Sequence, residues 1–194
     1  MEDGGVVPVL REPGTVPIEA LDEQAFREFG WVLGNPFAQD PAATAFSHPG
    51  SDFWHVHDFD PGDGGTTEVL WVNYRDDSLR VRALEVHWLT EQAIVPLDGH
   101  ELVHVVCPTR TDASRLPDLA RLRCFRIRCG LGICMRPGCW HASFVTGGQT
   151  TCLMLTRRST TRDLVAHLKG APSLVESSTI ALGSLGECQL LPEG

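Results

Sequence analysis

The sequence predicts a mainly β protein: an antiparallel jelly-roll or β-barrel with a short N-terminal helix and a C-terminal helix or tail. Three observations lead there. Short runs of β-branched and apolar residues recur at close spacing from Trp31 onward, clusters of Asp, Ser, Pro and Gly separate them, and a helical period shows only near the two ends.

Taken in order, residues 1–17 are rich in Pro and Gly and read as a flexible arm. Leu21–Gly30 is a short amphipathic helix, with Asp22 as its cap, Ala25, Phe26 and Phe29 on one face and Gly30 as its stop. Val69–Tyr74, Leu79–His87, Gln92–Pro96 and Glu101–Val106 are strands, divided by Asp76-Asp77-Ser78, by Asp98-Gly99-His100 and then by Pro108–Asp118. Cys124–Arg128, Ile133–Arg136, Ala142–Val145 and Thr150–Thr156 continue the series across Gly130, Gly132, Pro137-Gly138 and Gly147-Gly148. Thr161–Leu168 reads as a helix ending at Lys169-Gly170, and residues 171–194 as a tail. The resulting division is an arm over 1–17, one domain over 18–170 and a tail over 171–194.

With 16 Lys+Arg against 25 Asp+Glu in 194 residues, the formal charge of −9 argues against a nucleic-acid partner. No stretch approaches 18 uninterrupted apolar residues, so a membrane span is not expected. Seven cysteines, an odd number scattered through a chain this long, fit free thiols in a reducing, cytoplasmic compartment. Lys169 is the only lysine, and its place at a helix end sets Schiff-base chemistry aside.

Chemistry concentrates at Glu85-Val86-His87. Residues i and i+2 of a strand share a face, so both side chains can reach one ion. Gln92 opens the next strand and Gly99 follows it in a turn; far downstream, Pro137-Gly138 delivers His141 from another strand. This spacing resembles that of the paired cupin motifs, with Glu85 and Gln92 standing where the usual cupin has histidine and glutamate. Glu91 faces away from Gln92 by alternation, and Gln92 is preferred as the ligand. Two histidines with two oxygen donors suit a divalent transition ion, Mn, Ni, Fe or Zn, at about 2 Å.

Other motifs compete less well. His55-Val56-His57 is itself an i, i+2 pair, but no suitably spaced third ligand precedes Gly62. Asp58–Gly64 lacks the order and terminal glutamate of a calcium loop and reads as a turn. Cys129, Cys134 and Cys139 recur at odd offsets and read as small buried thiols.

Leu84-Glu85-Val86-His87 with Gln92, Pro96 and Gly99 resembles a segment of the ureidoglycolate lyases, a cupin family of purine (allantoin) catabolism. Leu21–Gly30, Phe53-Trp54-His55, Pro117-Asp118-Leu119, Phe125, Gly132 and Trp140-His141 extend the resemblance over about residues 18–160. It implies a jelly-roll homodimer that splits a small-molecule substrate, ureidoglycolate, to glyoxylate and urea, with a divalent metal on Glu85, His87, Gln92 and His141. For that reaction His55 is a candidate acid/base, because an imidazole ordinarily titrates near neutrality. Arg136 or Arg75 is a candidate bidentate partner of the substrate carboxylate, and Trp140, with Trp88, flanks the proposed ligands as candidate pocket wall. Met135, Arg136, Ser143 and Arg157 depart from the family's pattern. They keep open a cupin metalloenzyme for another small carboxylate substrate, or a non-catalytic binding protein.

Overall fold

The computed structural model describes residues 14–34, 45–98, 100–171, 175–184 and 188–191. β1 (Thr15–Ala20), the single-turn α1 (Glu23–Phe26) and β2 (Gly30–Leu33) come first, followed by a separate hairpin of β3 (Ala45–His48) and β4 (Ser51–Trp54). Then come β5 (Thr67–Tyr74), β6 (Arg80–Val81), β7 (Ala83–His87), β8 (Gln92–Pro96), β9 (Leu102–Cys107) and β10 (Arg123–Ile127). β11 (Gly132–Met135), β12 (Trp140–Val145), β13 (Thr150–Arg157), α2 (Arg158–Leu168), β14 (Ser177–Ala181) and β15 (Cys188–Leu191) complete the chain.

Two sheets face each other. One runs β14-β7-β12-β9-β10-β1-β15-β6, the other β2-β11-β8-β13-β5. The fold is mainly β, as the sequence predicts, and its ladders are antiparallel except where β1 lies parallel to both β10 and β15.

Alternation builds the interior. Leu102 and Val106 of β9, Phe125 and Ile127 of β10, Ile133 and Met135 of β11, Ile94 of β8, and Cys152 and Met154 of β13 fill the space between the sheets, closed at one side by Phe26 and Phe29. The intervening residues Leu84, Val86, Val103, Val105, Trp140 and Phe144 form a second core with Leu182 and Leu190 on the other face of the eight-stranded sheet. Burial of such side chains contributes about 1.5–3 kcal/mol each.

The expected N-terminal helix is a single turn. Asp22 caps it by accepting from the Ala25 N–H, as its position predicts. Gly30 does not end it but begins β2, where a Cβ would collide with the Cys134 carbonyl across the β2–β11 ladder. At the other end, Lys169 closes α2 and Gly170 follows at φ +101°.

Both termini enter the sheets. Thr15–Pro17, expected in the arm, pair with Gln189–Leu191, and residues expected as tail supply β14 on the outer edge of β7 and β15 beside β1. Ser177–Ala181 is short and polar, so it carries little strand signal of its own; what holds it is the open edge of β7.

Candidate metal centre

Glu85 and His87 lie on β7 and His141 on the neighbouring β12, with Glu85 and His141 as direct cross-strand partners. One donor atom from each falls within 4.8 Å of the other two. The His87 and His141 rings are 5.2 Å apart, and His104 of β9 stacks beside His141 at 5.6 Å.

The hydrogen bonds orient both rings. His141 Nδ1 lies 3.0 Å from the Cys139 carbonyl, which can only accept, so Nδ1 carries a proton. Nε2 faces Glu85 Oε1 at 3.2 Å: a protonated ring donates to the carboxylate there, and a neutral one presents it a lone pair. In the neutral case two lone pairs face each other and repel unless a proton or a metal ion lies between them. His87 Nδ1 is engaged by Ser177 Oγ at 2.8 Å, which directs Nε2 inward.

Electrostatics prepare the same donors. Burial pushes the Glu85 carboxyl up, but the hydrogen bond and charge of His141, with His87 and His104 beyond, outweigh it and hold the group down at about 2. Burial first, and then the charge of His141, push His87 down to about 4 against the opposing pull of Glu85. The same two causes hold His104 well below the usual imidazole range. Near neutral pH Glu85 is a carboxylate and His87 is neutral, the states in which they can bind a divalent ion.

Gln92 is buried on the facing sheet, and its Oε1 has no partner among the described residues. It pairs with Met135, whose Sδ lies 3.1 Å from His104 Nε2. Thr150 and Thr156 Oγ1 and Glu68 Oε1 are likewise buried without a partner, at alternate positions of β13 and β5. A row of unpartnered acceptors inside an apolar barrel suits a polar ligand.

Sequence reasoning missed a polar chain behind His141, buried at His104 and half-buried at Ser143 and Tyr74. His104 Nδ1 lies 3.0 Å from Ser143 Oγ, and Ser143 also bonds Tyr74, the only tyrosine, whose hydroxyl pKa is pushed up by burial. The available signal was a single histidine at an inward position of the apolar run Leu102–Cys107.

Four other expected site residues lie elsewhere. His55 is exposed and pairs with Asp58 at 3.2 Å, because residues 55–62 are not a strand and alternation does not apply. Arg136 follows the inward Met135 and so points out, its guanidinium 3.9 Å from the Trp31 ring centre. Arg75 is exposed just past β5. Trp140 faces the second core, edge-on to Trp88, with its back to His141. Arg157 braces the Pro61 and Asp63 carbonyls and does not join the cluster. Gly99 lies outside the described residues.

The fold and the inner-face donors together define a cupin-type jelly-roll with a candidate divalent-metal centre. The comparisons with known proteins narrow this: residues 13–176 match the family described as ureidoglycolate lyase, and the chain belongs to that family. A ureidoglycolate lyase of Pseudomonas putida is 31% identical over 136 residues, covering 68% of this chain and 77% of its own. One from Stutzerimonas stutzeri is 30% identical over the same length, covering 68% and 76%. Among solved structures, a dTDP sugar isomerase from Desulfovibrio desulfuricans superposes with a TM-score of 0.42 at 12% identity, over 73% of this chain and 82% of the other.

Proposed function

We propose that the protein is a metal-assisted C–N lyase that cleaves ureidoglycolate to glyoxylate and urea. The observation that carries the metal part is the grouping of Glu85, His87 and His141, with one donor atom from each within 4.8 Å of the others and His141 Nε2 facing Glu85 Oε1 at 3.2 Å. Membership of the ureidoglycolate lyase family supports the substrate.

Ureidoglycolate is a hemiaminal. Its hydroxyl loses a proton, the C–N electron pair leaves with the urea nitrogen, and that nitrogen gains a proton, so atoms balance without water. Glu85, His87 and His141, with Gln92 from the facing sheet, would hold the ion; when bound it would lower the pKa of the hydroxyl and neutralise charge on the α-hydroxy acid. Two histidines with oxygen donors fit Mn, Ni, Fe or Zn.

The chain's own residues do the rest. His104, kept neutral by burial, stacks beside His141 and leads through Ser143 to Tyr74, a polar chain that can pass on the hydroxyl proton without itself staying charged. Gln92 Oε1, Glu68 Oε1 and the Thr156 hydroxyl would accept from the N–H-rich ureido group. The outward Arg136 and Arg75 do not enter this scheme, and neither does His55. The homodimer that the family resemblance implies belongs to the proposal and is checked by light scattering.

The test is release of glyoxylate and urea from racemic ureidoglycolate by the purified protein, before and after chelation and with each of the four metals restored. Release that follows the metal supports the reading. A folded, metal-loaded protein with no release above the spontaneous rate would refute the substrate, and activity indifferent to chelation would refute the metal.

A further inference from the structure

On the opposite side of the five-stranded sheet lies a second cluster of donors. Ile133 and Met135 of β11 point into the barrel, so Cys134 between them points out; Glu91, one residue before the inward Gln92, points out as well. Residues 55–62 cross this face, and there His57 Nε2 meets Glu91 Oε2 at 2.7 Å while Cys134 Sγ lies 3.6 Å from the same oxygen. Trp31 stacks on the His57 ring at 3.7 Å and 17°, fixing its plane. The Asp60 N–H donates to Glu91 Oε2 at 2.9 Å and so aims the carboxylate.

We propose that His57, Glu91 and Cys134 form a second divalent-metal site, selective for a borderline-soft ion such as zinc, which fastens the 55–62 segment to β8 and β11. The donors are one nitrogen, one oxygen and one sulfur, all within 4.8 Å of one another, a set that suits zinc. Cys134 differs in its surroundings from Cys139, which turns to a backbone carbonyl: Cys134 faces both a carboxylate and an imidazole. Without an ion this is an awkward packing of a thiol against a buried carboxylate; burial first, and then the carboxylate, oppose ionisation of the thiol. With one, the thiol proton leaves to solvent as the sulfur–metal bond forms. The proton that His57 Nε2 donates to Glu91 also leaves that nitrogen, so that the bound ring is neutral and protonated on Nδ1, and Glu91 shares its oxygen between the ion and the Asp60 N–H. The His57 side chain is 15% exposed and Glu91 6%, so the cluster is covered yet reachable along the His57 edge.

Cobalt(II) separates this site from the first, because Glu85, His87 and His141 include no sulfur. Titrating metal-free, reduced protein with cobalt should give two binding events per chain. One should carry a near-ultraviolet thiolate-to-cobalt charge-transfer band that is lost in Cys134→Ala and in His57→Ala but kept in His141→Ala. Absence of the band while the inner site fills, or its survival in Cys134→Ala, would overturn the proposal and leave the cluster an ion pair only. If Cys134→Ala does not fold, His57→Ala, in a segment outside the sheets, decides. The readout is optical, so failure to cleave ureidoglycolate leaves it untouched.

Discussion

Acid should weaken the metal-free protein through His87 by a predictable amount. In the unfolded chain this imidazole takes up a proton near its ordinary value of 6.5; in the fold it resists until about 4, because burial and the neighbouring His141 disfavour the imidazolium. Between those values the unfolded state holds more protons, so stability falls as the pH falls, by up to about 1.4 kcal/mol for each pH unit. Across the interval from 6.5 to about 4 the loss reaches about 3 kcal/mol, a large part of an ordinary domain's stability. The assay is urea unfolding of the metal-free protein and of His87→Gln at pH 7, 6, 5 and 4. Above pH 7 the two curves should run parallel; below it the wild type should lose stability faster, and the gap should close or reverse toward pH 4. Curves that stay parallel to pH 4 would mean that His87 is not buried in the neutral state and would undo the account of the cluster's charge.

Three further outcomes are expected. Ser177→Ala frees His87 Nδ1 and should weaken metal binding about 10- to 100-fold, read by competition with a chelator, with little change in the far-ultraviolet spectrum. Tyr74→Phe removes the last hydroxyl of the polar chain and should lower kcat about 100-fold with KM and metal content held; an unchanged kcat would exclude Tyr74 from proton handling. Gly30→Ala places a methyl group against the Cys134 carbonyl and should cost about 1–3 kcal/mol by thermal unfolding, since β2 must shift from β11.

What could be read from the sequence follows the reach of one rule. Alternation along a strand placed Glu85 with His87 and sent Glu91 and Gln92 to opposite faces, and the Pro-Gly turn delivered His141 beside them. The same rule, applied to Met135-Arg136, already turns Arg136 outward, toward Trp31. His55 and His57 mark where the rule stops: in a segment without a ladder, each ring goes to its own carboxylate, Asp58 or Glu91. The place of His104 and Ser177 beside the cluster was hidden for another reason. Each becomes a neighbour of the cluster only through pairing across the sheet, Ser177 with His87 and His104 with Ser143, and pairing between distant segments leaves no local mark.

Ser177 shows why the C-terminal segment belongs to the site. A histidine ligand needs one nitrogen held so that the other is presented, and a buried imidazole on an edge strand would find no such partner on the open side of β7. β14 covers that side, and its first residue supplies the hydroxyl; one position on, Ser178 accepts from the Trp88 indole and fixes the corner that leads from β7 to Gln92. The strand that covers the edge therefore orients one candidate ligand directly and another through the connection between strands. Its weak intrinsic strand character is consistent with this, because cross-strand bonds to β7, and not propensity, keep Ser177 in register with His87.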